Sequence, residues 1–172
     1  MKSRLSSLIL VLTVLAAGCV GMSKMVQVEK TPPPRADEVL VNFVRSSFLY
    51  RGAGIGFELW HGKRFIGTLY DHTIIQYKMS PGEHVFMANS HGTGWAYLKL
   101  KFLPGTTYYV VTNVPYLGEI SMKLVPASNP EVKKWNESLQ TVGIDPNQKV
   151  PPKAQKEAAA KLAEFNAGGL TW

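Results

Sequence analysis

Cysteine is almost missing from this chain. The one copy among 172 residues is Cys19, which excludes a disulfide within the molecule and a cysteine-built zinc site. Acidic side chains are also scarce: 12 Asp and Glu stand against 19 Lys and Arg, a formal net charge of +7. That balance favours anionic partners such as lipid headgroups or acidic polymers. A membrane-spanning run is missing too. The apolar stretch Leu8 to Leu15 is broken by Thr13 and falls well short of the ~20 residues a spanning helix takes.

What is there begins with Lys2 and Arg4, then that apolar stretch, then the small residues Ala16, Ala17 and Gly18. Charged start, short apolar middle and small-residue end make the pattern of an export signal over residues 1–18. Removing it takes away Lys2 and Arg4 and leaves +5 of the +7.

Cys19 follows LAAG directly, and here the stretch resembles the lipobox of bacterial lipoproteins. The preferred leucine stands one place early, with Ala16 in its usual slot. The resemblance implies acyl chains such as palmitate attached at Cys19, which becomes the first residue of the mature protein. A plain secretory signal cut nearby is the alternative. Two or more acyl chains hold a protein stably at a membrane. Val20 rather than aspartate after the cysteine implies, by the same resemblance, an outer-membrane, lipid-anchored and periplasm-facing location. That compartment disfavours a nucleic-acid partner. The thiol is consumed, so it is no nucleophile.

Residues 19–37 contain Pro32-Pro33-Pro34, a stiff stretch that reads as a lipidated, proline-rich tether holding the rest away from the membrane. Residues 38–126 read as a β-sandwich domain. Short runs rich in β-branched and aromatic residues follow one another, among them IGFELW, RFIGTLY, TIIQYKM, WAYLKLKF and TTYYVVTNV. Turn signals separate them: His61-Gly62 as a two-residue hairpin turn, then Pro81-Gly82 and Pro104-Gly105. The expected fold class is all-β, an antiparallel sandwich of about eight strands with a short C-terminal helical extension over 127–172. Two helices are expected there, PEVKKWNESLQ after Asn129 and KAQKEAAAKLAEF after Pro151-Pro152. Ala154, Ala158, Leu162 and Phe165 give the second helix an apolar stripe suited to docking on the sandwich, with a partner protein as the alternative.

Residues 42–126 also resemble an uncharacterised all-β domain of unknown function, found in small exported proteins and lipoproteins of Gram-negative bacteria. The resemblance is carried by NFVRSS with Arg45 and Ser46, GKRFIGTL, PGEH at Pro81 to His84, and PGTTYYVV at Pro104 to Val111. These motifs imply a fold and no catalytic residues.

Candidate chemistry is thin. RGAGIG, Arg51 to Gly56, spaces its glycines G-x-G-x-G and runs into Phe57-Glu58-Leu59-Trp60, which alternates like a strand. A dinucleotide loop needs G-x-G-x-x-G ahead of a helix, whose free amides receive the phosphates, so no nucleotide cofactor is expected. The histidines His61, His72, His84 and His91 never stand two to four residues apart, so no metal is expected and exposed turn histidines account for them. Glu58, Asp71, Glu83 and Glu119 are scattered. No nucleophile-elbow motif is present, and no catalytic residue is assigned.

The most suggestive stretch is WAYLKLKF. With a period of two, Ala96, Leu98, Leu100 and Phe102 face one way and Trp95, Tyr97, Lys99 and Lys101 the other. Two rings and two cations on an outer face suit a sugar ring and acidic groups. The opposing possibility is that the rings pack under the C-terminal helices while the lysines are solvated. The reading is a non-catalytic interaction or envelope-structural module, with another envelope protein or peptidoglycan as partner. A glycan-binding module using Trp95, Tyr97, Lys99 and Lys101 is the first alternative, and a hydrolase with an unrecognised site is the second.

Overall fold

The computed structural model describes residues 25–46, 56–90, 94–113 and 119–168. The export signal, Cys19, His91 and residues 51–55 of RGAGIG lie outside the described residues.

Two sheets face each other. The six-stranded sheet has the order β1(Met25–Gln27), β10(Gln140–Ile144), β5(Thr73–Met79), β2(Val39–Arg45), β8(Thr106–Asn113), β9(Ser121–Val125). The four-stranded sheet has the order β4(Arg64–Leu69), β3(Phe57–His61), β6(Gly82–Ser90), β7(Gly94–Phe102). The protein is therefore mostly β and sandwich-like, with ten strands among the described residues in place of the expected eight. The pairing is also mixed, because β2 runs parallel to β8 and β10 parallel to β5.

Both extra strands come from stretches expected to do other work. β1 belongs to the proline-rich segment and β10 lies between the two helices. They pair with each other, Met25 opposite Ile144, and so extend the sheet past β5. The segment after β1 also stays on the body. The Val28 amide donates to the Thr141 carbonyl at 3.1 Å, and the Thr31 amide to Gln76 Oε1 at 2.7 Å. From Met25 onward, the segment read as a tether is thus bonded to the sandwich.

Alternation fills the space between the sheets. Val39, Val41 and Phe43 of β2 meet Phe57 and Leu59 of β3, Phe86 and Ala88 of β6, and Ala96 and Phe102 of β7. The opposite side of β2 is buried as well: Asn42 bonds to Gln76 and the Tyr108 carbonyl, and a helix covers Val44. Helix α1(Pro130–Ser138) sets Val132 and Trp135 on Val44, Ile74 and Tyr109. Asn129 starts it: its Oδ1 accepts the Glu131 amide at 2.9 Å, and Pro130 occupies the first turn without losing a hydrogen bond. Helix α2(Pro152–Asn166) covers the outer side of the four-stranded sheet in the same way.

The hairpin between β3 and β4 turns at Gly62-Lys63, one place later than His61-Gly62, since His61 pairs with Arg64. Gly62 has φ +56° while Lys63 is not in the left-handed region. Glycine first is the pattern of a II′ turn, which needs positive φ at its first central residue.

Candidate functional site on the outer face of the four-stranded sheet

Strand register builds the site. On the outer face, Glu58 of β3 stands beside Asn89 of β6, and Asn89 beside Trp95 of β7. The next row is Trp60, Met87 and Tyr97. The alternation expected for β7 is observed: Ala96, Leu98, Leu100 and Phe102 join the inter-sheet core, while Trp95 and Tyr97 pack with α2.

Helix α2 lays the expected stripe on these rows, with Ala154 and Ala158 packed into the cluster of Trp60, Phe65 and Met87 and with Leu162 alongside. Small alanines let the helix backbone come close to the large rings. Phe165 stacks on Tyr97 with ring centroids 4.8 Å apart and planes 4° apart. Burial, with a smaller contribution from Glu164, pushes the Tyr97 phenol up to about 12. Lys99 is drawn to Glu83 at 3.0 Å, and Lys101 stays exposed with no ion pair among the described residues. The four residues of the expected aromatic-basic face thus divide: Tyr97 lies under the helix, Lys99 is paired, Lys101 is open, and Trp95 stands at the helix margin.

Trp95 borders two clefts. One, of about 260 Å³, lies between Glu58, Asn89, Trp95 and the first turns of α2, where Lys153 and Glu157 flank it. The other, of about 350 Å³, runs from Trp95 past Tyr97 and Phe165 to Ile120 and Met122. Glu58 is 3% exposed and Asn89 6%. Buried polar groups on an outer sheet face are informative, because burying them costs stability unless they are partnered. In the sequence Glu58 stands out only as one of four scattered carboxylates, and Asn89 does not stand out at all. The available signal was Glu58 taking an outward place next to Trp60 in an otherwise apolar strand.

A second cluster joins residues far apart in sequence. Tyr77 Oη lies 3.0 Å from His61 Nδ1, His61 Nε2 lies 2.8 Å from His84 Nδ1, and His84 Nε2 lies 3.0 Å from the Ser80 carbonyl oxygen. A carbonyl only accepts, so His84 carries its proton on Nε2 and His61 donates from its own Nε2. His61 Nδ1 then accepts from Tyr77. Burial, then His84, then Arg64 hold the His61 pKa below its ordinary value. His61 and His84 are half-buried, not the exposed turn residues expected; His72 is exposed at a turn as expected. Among the described residues, no three His, Cys, Asp or Glu side chains are grouped to hold a metal.

Arg45 is 1% exposed, sits 3.9 Å over the Phe57 ring and pairs with Asp71 at 2.9 Å. It fastens the end of β2 to the β4–β5 turn. Of RGAGIG, Gly56 is described. A Cβ there would collide with the Thr68 and Tyr70 side chains, and Phe57 continues as a strand. Close approach of chain to side chains explains that glycine. Among the described residues, no helix is long and apolar enough to cross a membrane.

Comparison with protein-family models finds no match, and comparison with curated proteins finds none either.

Proposed function

We propose that this protein is a lipid-anchored, non-catalytic interaction module of the bacterial envelope, held at the outer membrane through Cys19 and facing the periplasm. The LAAG-Cys19 pattern and the resemblance of residues 42–126 to an exported all-β domain support the placement. The observation that carries the binding role is Trp95, an indole left at the margin of α2 with a cleft on each side. Trp95 is the ring that borders both clefts, so it is where this face offers apolar surface to a partner on either side. A photo-reactive residue placed at 95 in living cells should give a discrete adduct with an envelope component. Labelling no stronger than from exposed Lys133 would count against the role.

The row Glu58, Asn89, Trp95 favours a second reading, in which the partner is a glycan. A carboxylate and a carboxamide side by side offer acceptors and donors to neighbouring hydroxyls, and an indole offers a flat apolar wall to a sugar ring. The cleft of about 260 Å³ has room for one ring. Pull-down on purified sacculi separates the readings: retention lost in Trp95→Ala supports the glycan, and no retention of the parent protein removes it.

A further inference from the structure

We infer that the end of the sandwich formed by the β3–β4, β5–β6 and β7–β8 turns is the surface that lies against the anionic headgroups of the bilayer; the inference rests on the reading of Cys19 as acylated.

Strand direction is the first argument. Met25 pairs with Ile144 and Gln27 with Val142, so β1 runs antiparallel to β10. Strand β10 runs parallel to β5, whose last residue, Met79, pairs with Val39 at the start of β2. Val39 in turn pairs with Thr106, directly after the β7–β8 turn. The chain therefore enters the fold from the end that carries Gly62-Lys63, Ser80-Pro81 and Leu103-Pro104-Gly105. Met25 is six residues beyond Cys19. Six residues span at most about 20 Å when fully extended, whereas a nine-residue strand such as β7 is itself about 30 Å long. Acyl chains at Cys19 hold this end near the bilayer and leave the opposite end out of its reach.

The surface chemistry of that end is the second, independent argument. Lys63 and Arg64 stand in and beside the β3–β4 turn and Lys101 precedes the β7–β8 turn. All three are exposed, with no ion pair among the described residues. Two residues after Lys101 comes Leu103, 56% exposed, next to Pro104. Cations around an exposed apolar side chain suit a layer of phosphate headgroups over acyl chains. Lys78 is paired with Glu38, Lys99 with Glu83, and Arg35 with Asp37 and Glu38; Asp145, directly after β10, is an acidic residue at this end with no ion pair among the described residues. The row Glu58, Asn89, Trp95 lies toward the opposite end, since β6 runs from Gly82 at the turn end to Ser90. The cleft then opens away from the membrane.

The test uses the mature protein in phosphatidylethanolamine–phosphatidylglycerol vesicles carrying a headgroup nitroxide lipid. Acylation consumes the native thiol, so one added cysteine takes one fluorophore. Leu103→Cys and Lys63→Cys report the turn end and Gln140→Cys the opposite end; Lys101→Cys replaces either turn-end probe if that variant does not fold. The expected result is quenching several-fold stronger at 103 and 63 than at 140, with the quenching at 103 reduced when Lys63, Arg64 and Lys101 are changed to Glu. Equal quenching, or stronger quenching at 140, on a protein whose Cys19 resists labelling overturns the orientation and leaves the anchor standing. Labelling of Cys19 itself overturns the anchor, and the orientation with it.

Discussion

His61 Nε2 lies 2.8 Å from His84 Nδ1, near the β3–β4 and β5–β6 turns, between Tyr77 and the Ser80 carbonyl. Two imidazolium rings cannot share that contact, because two N–H groups would then point at each other. The neutral pair satisfies every nitrogen in the chain of bonds, and burial weighs on the same side for His61.

Stability should therefore depend on pH in a stated direction. The His61 pKa is lower in the folded protein than its ordinary 6.5, so the unfolded chain binds more protons as pH falls below that value. The stabilisation is complete above about pH 6.5 and is lost as pH falls towards the depressed folded value. Urea midpoints compared at pH 7.5 and 5.5 should show a lower midpoint at pH 5.5, with a smaller difference in His61→Phe. Identical pH dependence of the two proteins would contradict this.

Arg45 and Asp71 make a test of buried charge. Asp71→Ala removes the carboxylate 2.9 Å from a guanidinium that is 1% exposed. Breaking such a pair costs about 3 kcal/mol. Arg45→Lys should also destabilise, because an ammonium keeps neither the flat contact with Phe57 nor the fork that reaches both Asp71 and the Leu69 carbonyl. Chemical denaturation measures both, and unchanged midpoints would show that the pair is not holding the β2 end.

Phe165 shields Tyr97. In Phe165→Ala, the Tyr97 phenol should ionise nearer its ordinary 10 than the value of about 12 it has under the helix. Tyrosinate absorbance, with Tyr97→Phe as the reference, isolates this phenol. An unshifted titration would mean that α2 does not cover that ring.

Asn129→Ala removes the acceptor of the Glu131 amide and should cost about 1 kcal/mol, the usual worth of an N-cap. Asn129→Asp should restore it. A loss common to both variants would point to something other than the cap.

The strands with a clear period of two are legible in the sequence itself. In β7 the inward set Ala96, Leu98, Leu100 and Phe102 and the outward set Trp95 to Lys101 follow directly from the pleat. The cap at Asn129-Pro130 and the apolar stripe of α2 are legible for the same local reason. What escapes is set by pairing between distant segments. MVQ is too short and QTVGI too mixed to declare strands alone; they become strands because each completes the other's edge beside β5. His61 and His84 stand 23 residues apart, and their meeting depends on His61 aligning with Phe86. Glu58 and Asn89 are likewise neighbours by register alone.

The most direct measurement is the intact mass of the mature protein purified from membranes, with its N-terminal peptide sequenced. Cys19 is expected to be the first residue and to carry acyl chains, and Cys19→Ser to yield an unprocessed, unacylated chain. A mature protein that begins elsewhere, or that keeps a free thiol at Cys19, would contradict it.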